Sequence, residues 1–163
     1  MLRISRLTDY ATVLLATLAE EPTRVQTATA LAERTRIAAP TVSKLLKQLH
    51  RAGLVTSTRG LHGGYQLARP AGEISAAAIL DALEGPLALT DCAAGNGHCG
   101  IEQTCRVGRA WQRVNLAILR SLHEVTLAQL AGVDNTPLRL TGLDREFRTS
   151  TSRIPIRTTT STS

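Results

Sequence analysis

The chain has 163 residues, 43% of them hydrophobic and only four aromatic, with a net charge of +6. That length holds one domain, or one small domain with an extension, and a core drawn from Leu, Ala, Val and Ile favours closely packed helices. No apolar run approaches the roughly 20 residues of a membrane span and no secretory signal precedes the first predicted helix, so the expected location is the cytoplasm, where thiols stay reduced.

The charge is unevenly placed. Residues 1–70 carry ten Lys/Arg against four Asp/Glu, whereas residues 71–163 carry nine of each. A basic half of this kind suits a surface that faces phosphates, or one that is merely well solvated.

In chain order, Tyr10, Val13, Leu14, Thr17 and Leu18 recur at helical spacing and predict a first helix over residues 5–20, stopped by Pro22. Thr27 is an acceptable N-cap for a second helix carrying Ala28, Leu31 and Ala32. After a turn at Arg36 to Ala39, Pro40 sits where a third helix would start, since its missing N–H costs nothing there. Val42, Leu45, Leu46 and Leu49 make one apolar stripe on that helix, and Gly53 supplies the stop. Two helices, a turn and a third helix with a polar, basic outer face is the helix-turn-helix pattern.

Leu54 to Thr58 and Tyr65 to Leu67 read as short strands joined by a Gly-rich loop, a hairpin wing. On this reading Thr41, Ser43 and Lys44 face base edges in the major groove of double-stranded DNA. Lys47 and Arg51 then rest on phosphates, while Arg59, His62 and the Gly63-Gly64 tip enter the minor groove, whose negative potential attracts cations. The bland alternative for the wing is a hairpin that only covers the core.

Ser75 caps a predicted helix over Ala76–Leu83 that Gly85-Pro86 ends. Then come all three cysteines, Cys92, Cys99 and Cys105, spaced among Gly95, Gly97 and Gly100. Tight C-x-x-C pairs are absent. Clustered thiolates on a glycine-rich loop suit an iron–sulfur cluster or a zinc ion, a redox disulfide between two of the three, or a loop that binds nothing.

From Arg106 a helix is predicted to about Glu124, roughly 28 Å long. Val107, Trp111, Val114, Ile118, Leu122 and Val125 form a near-heptad seam along it. Pairing with the same helix of a second chain would bury that seam, and two-fold dimers match palindromic operators. Thr126 caps a last short helix over Leu127–Ala131, and beyond Phe147 a Thr/Ser-rich tail with Arg153 and Arg157 reads as disordered.

The expected architecture is therefore mostly α: a winged helix-turn-helix with a small β-hairpin wing and a long C-terminal dimerisation helix. Its parts are the DNA-binding region 1–70, a connecting helix in 71–90, the cysteine loop 91–106, the dimerisation and terminal helices 106–135, and the tail 136–163. Enzyme signatures are missing. There is no G-x-S-x-G elbow, no P-loop, and His123-Glu124 lacks the second histidine of a zinc-protease helix.

With these motifs placed, the sequence resembles the cluster-binding winged-helix repressors typified by the iron–sulfur cluster regulator IscR and the nitric-oxide sensor NsrR. The resemblance covers about residues 1–135. It rests on Leu7-Thr8-Asp9-Tyr10-Ala11, on the wing Arg59-Gly60-Leu61-His62-Gly63-Gly64-Tyr65-Gln66-Leu67-Ala68-Arg69, on the three cysteines, and on Thr126-Leu127-Ala128-Gln129-Leu130. The run Gly100 to Cys105 looks most like regulators of the sulfur-mobilisation (SUF) cluster-assembly operon.

The resemblance implies a homodimeric repressor in which Cys92, Cys99 and Cys105 ligate a [2Fe–2S] cluster, with [4Fe–4S] the alternative. DNA affinity would depend on the state of that cluster. Two departures matter. Gly108 stands where IscR-like members place a ligating histidine, so the expected fourth ligand is Asp9 of the partner subunit, the position of the NsrR-like carboxylate; His98 directly adjoins Cys99 and does not readily converge with it on one iron. Ser43 replaces the recognition-helix glutamate that tunes operator choice in IscR, so the operator sequence does not carry over.

Overall fold

The computed structural model describes residues 4–60, 62–86 and 107–138. Helix α1 (Arg6–Glu20) begins at Ser5, whose hydroxyl accepts from the Thr8 backbone N–H at 3.2 Å. Thr27 does the same for α2 (Ala28–Thr35), accepting from the Ala30 N–H at 3.1 Å. Each cap satisfies one of the N–H groups that a helix start leaves without an intrahelical partner.

Helix α3 (Ala39–Arg51) starts one residue earlier than its proline suggests. Pro40 lies within its first turn, and Ala38 caps it without a side-chain bond. Gly53 then reverses the chain at φ +70°, a left-handed conformation that glycine adopts without steric cost.

Strands β1 (Val55–Thr58) and β2 (Gly64–Leu67) pair antiparallel, Val55 opposite Leu67 and Thr58 opposite Gly64. A 3₁₀ turn at Ala71–Glu73 leads to α4 (Ala76–Glu84), capped by Ser75 and ended by Gly85. Helix α5 (Gly108–Glu124) and the short α6 (Leu127–Leu130) complete the described chain. Thr126 and Gln129 form a reciprocal capping box at the start of α6.

The apolar stripe of α3 is wholly buried: Val42, Leu45, Leu46 and Leu49 pack with Leu14, Leu15 and Leu18 of α1 and Leu31 of α2. Ile74, Ile79 and Leu127 belong to the same core, so α4 and α6 are built onto the helix-turn-helix. A bridge between Ser75 and Thr126 ties these two later elements together, with the Leu127 N–H bonding the Ile74 carbonyl at 2.7 Å and the Ala76 N–H bonding the Val125 carbonyl at 2.8 Å. The mostly helical winged-helix fold with a two-stranded wing is thus as the sequence indicates.

Helix α5 divides its seam. Asn115, Ala117 and Ser121 are its buried residues, and Ile118 and Leu122 are half-buried. Val107, Trp111 and Val114 at the other end are 44–58% exposed. Small and polar residues are thus the buried ones within this helix, while Val125 of the predicted seam is buried at its C-terminal cap.

Candidate nucleic-acid interface

With its apolar stripe facing inward, α3 turns the opposite face to solvent. Lys44, Lys47 and Arg51 are exposed there at intervals of three and four residues, one face of a helix. Thr41 and Ser43 are half-buried on the first turns of the same helix. Its N-terminus is exposed at Ala38, Ala39 and Pro40 and carries no side-chain cap, so the positive end of the helix dipole stays accessible to an anion.

The wing follows directly. His50, near the end of α3, has Nδ1 3.1 Å from the Val55 carbonyl oxygen, which joins α3 to the first strand. Arg59 and His62 are both exposed in the turn between the strands. Gly63 and Gly64 have a reason for being glycine that lies inside the chain. A Cβ on Gly63 would stand 2.5 Å from the Thr58 carbonyl oxygen, and one on Gly64 would stand 2.5 Å from that of Gln26. The close backbone approaches that build the wing therefore already exclude side chains at both positions.

One exposed cation next to this surface escapes sequence reasoning. Arg36 ends α2 in a left-handed conformation, φ 56°, at the turn into α3. No sequence signal marks such a backbone on a non-glycine residue. Other cations of the basic half are engaged elsewhere: Arg24 pairs with Glu21, and Arg34 with Glu20 and Glu21.

Of the predicted metal ligands, Asp9 is the one that falls among the described residues. Asp9 is exposed on the first turn of α1, where Ile4, Ser5, Arg6 and Asp9 line an open depression. Cys92, Cys99, Cys105 and His98 fall outside the described residues. Among the described residues no three His, Cys, Asp or Glu side chains converge as a metal site.

The end of α4, the helix that precedes the cysteine segment in the chain, is described. At the end of α4 the Glu84 carboxylate accepts a short hydrogen bond from Thr8 Oγ1, and Ser5 Oγ lies 3.1 Å from that hydroxyl. Hydrogen bonds from Ser5 and Thr8 hold the Glu84 carboxyl below the usual glutamate range. The chain therefore leaves α4 beside the first turn of α1, the turn that carries Asp9.

A buried three-helix core, a basic outward face on the third helix and an adjoining two-stranded wing define a winged-helix DNA-binding protein. The family model described as Rrf2, iron-dependent transcriptional regulator, matches residues 4–132, and the chain belongs to the Rrf2 family. Protein rrf2 of Nitratidesulfovibrio vulgaris is 32% identical over 133 residues, covering 79% of this chain and 87% of that protein. Among solved structures, CymR (YrzC), the global cysteine regulator of B. subtilis, superposes with a TM-score of 0.67 at 26% identity, over 83% of this chain and 100% of that one. IscR of T. potens superposes with a TM-score of 0.62, also at 26% identity, over 86% and 96% of the respective chains.

The resemblance read from the wing, the cysteines and the terminal helix is borne out at the level of the family. The protein is a transcription regulator and not an enzyme. None of the described helices is long and apolar enough to cross a membrane.

Proposed function

We propose that this protein is a cytoplasmic, homodimeric repressor whose grip on its operator depends on an iron–sulfur cluster held by Cys92, Cys99 and Cys105, and that its targets include SUF-type cluster-assembly genes. The observation that carries the reading is the grouping of every cysteine of the chain in one glycine-rich segment, in a chain whose family is described as iron-dependent. The likeness to an IscR supports it.

The donor set suits such a group. Three soft thiolates favour iron–sulfur or zinc over harder metals, and the exposed Asp9 carboxylate is available to a neighbouring protomer as a fourth ligand. When bound, the cluster would supply a tether sensitive to oxidation, nitric oxide and iron supply.

The chain itself supplies the reading head. Lys47 and Arg51 position α3 on phosphates while Thr41, Ser43 and Lys44 reach base edges. Arg59 and His62 place the wing over the adjacent minor groove, with Gly63 in the same turn and Gly64 at the start of β2 beside it. Thr8 and Glu84 tie the end of α4, the helix that precedes the cysteine segment, to α1, and α1 shares its core with α3. A change in the loop thereby bears on the element that carries the reading helix. The exposed Val107, Trp111 and Val114 face supports pairing of two α5 helices, since an apolar strip of that kind seldom stays in water.

A thiol switch, or a zinc-bound regulator of the same fold, is the second reading. It is favoured by the likeness to CymR, which is described as a cysteine regulator. The two separate on full-length protein purified without oxygen. The cluster reading expects visible absorption together with iron and acid-labile sulfide, all lost in Cys92→Ala. Colourless wild-type protein free of sulfide would remove the cluster from the function and leave the thiol or zinc reading.

A further inference from the structure

Gln26 lies in the connection between α1 and α2, yet it is only 4% exposed. Its backbone N–H donates to the Tyr65 carbonyl at 2.9 Å, and its own carbonyl accepts from the Tyr65 N–H at 2.8 Å. Strand β2 is therefore held on one edge by β1 and on the other by this single residue. The missing Cβ of Gly64 is what lets the two backbones come so close.

Behind Gln26 stands Arg34 of α2. One guanidinium nitrogen donates to the Gln26 side-chain oxygen at 2.5 Å and to Glu21 Oε1 at 2.9 Å, and the other donates to Glu20 Oε2 at 2.8 Å. The Gln26 amide nitrogen is buried without a partner among the described residues, so the oxygen facing Arg34 is the engaged half of that amide. The acids are the last residue of α1 and the one after it. One planar fork thus joins the end of α1, the wing's inner anchor and α2.

Exposed ion pairs of this kind add little to stability. Their geometry matters more than their energy. The hairpin packs on the core through Val55 and Leu67, and the two-bond bridge to Gln26 holds the remaining edge of β2, where it bears on the angle between wing and α3.

We propose that Arg34, clamped by Glu20 and Glu21, is a positioning residue that sets the wing's angle on DNA through Gln26, and that it does not itself contact phosphate. This rests on the reading that the wing lies over a minor groove. It has a consequence opposite in sign to simple electrostatics. Neutralising two acids in a protein that binds a polyanion should tighten binding. If the acids hold the wing's anchor, neutralising them should loosen it.

The test uses full-length Glu20→Gln/Glu21→Gln protein on an operator duplex selected from a random-sequence pool with the wild type. Hydroxyl-radical protection reads the minor groove under the wing, guanine N7 methylation reads the major groove under α3, and the Tm is recorded alongside. Expected are a severalfold weaker Kd, loss of wing protection, retained α3 protection and a Tm near that of the wild type. Arg34→Lys, which keeps the charge but not the planar fork, should behave the same way.

Binding as tight as or tighter than wild type with the wing footprint intact would overturn the proposal. So would parallel loss of both footprints with a fallen Tm, which marks a merely structural network. Absence of wing protection in the wild type itself would refute the minor-groove reading and the inference with it.

Discussion

Under the proposed function Lys47 and Thr41, on the same helix, would do different work, because a long exposed ammonium and a half-buried hydroxyl can reach different parts of a duplex. Lys47→Ala should weaken binding to every sequence alike and reduce the salt slope by about 0.9, the share of one neutralised phosphate. Thr41→Ala should instead change the ranking of operators at nearly constant slope. Binding titrations across salt on two operator variants check both. Glu84 offers a second prediction at this scale. Its carboxyl is held below the ordinary value of 4.5 by hydrogen bonds from Ser5 and Thr8. A folded-state pKa depressed in this way adds stability above the unfolded value and loses it as pH falls through the folded one. The Tm of the wild type should therefore fall more steeply than that of Glu84→Gln from about pH 5 downward, and parallel Tm-versus-pH curves would contradict the latch between Glu84 and α1.

Helices were largely legible because their starts are written in side chains: Thr27, Ser75 and Thr126 are hydroxyls followed by helical periodicity, and each caps its helix. Where the cap is a bare backbone, as at Ala38, the start of α3 is displaced by one residue. Contacts between distant residues left no local trace. The Thr8–Glu84 bond spans 76 positions, and the Gln26–Tyr65 bridge is one residue long, too short to show as a strand. Periodicity on α5 identified an apolar seam but not what covers each part of it. Ile118 and Leu122 are half-covered within the chain while Val107, Trp111 and Val114 are left exposed. If a second copy covers that end, the double change Trp111→Glu, Val114→Glu should convert a dimer to a monomer in sedimentation. It should also cost on the order of 10²-fold in operator affinity, the gain that linking two half-site contacts provides. A wild type that already sediments as a monomer would contradict it.

Across the whole molecule, the net positive charge lies in the half that holds α3 and the wing, and the cysteines lie in the segment between α4 and α5. One core joins the two halves, since Ile74, Ile79 and Leu127 pack with the leucines of α1 and α3. Composition made the charge division visible, whereas the shared core depends on packing that no run of sequence displays. What the loop holds and how that bears on DNA is the claim on which the proposed function stands. It is tested most directly by the operator Kd of one anoxic preparation, measured before and after the iron is stripped by chelation under reducing conditions. A change of about 5–150-fold, the usual range of coupling between two sites, is expected. Equal affinity in the loaded and stripped states would contradict it.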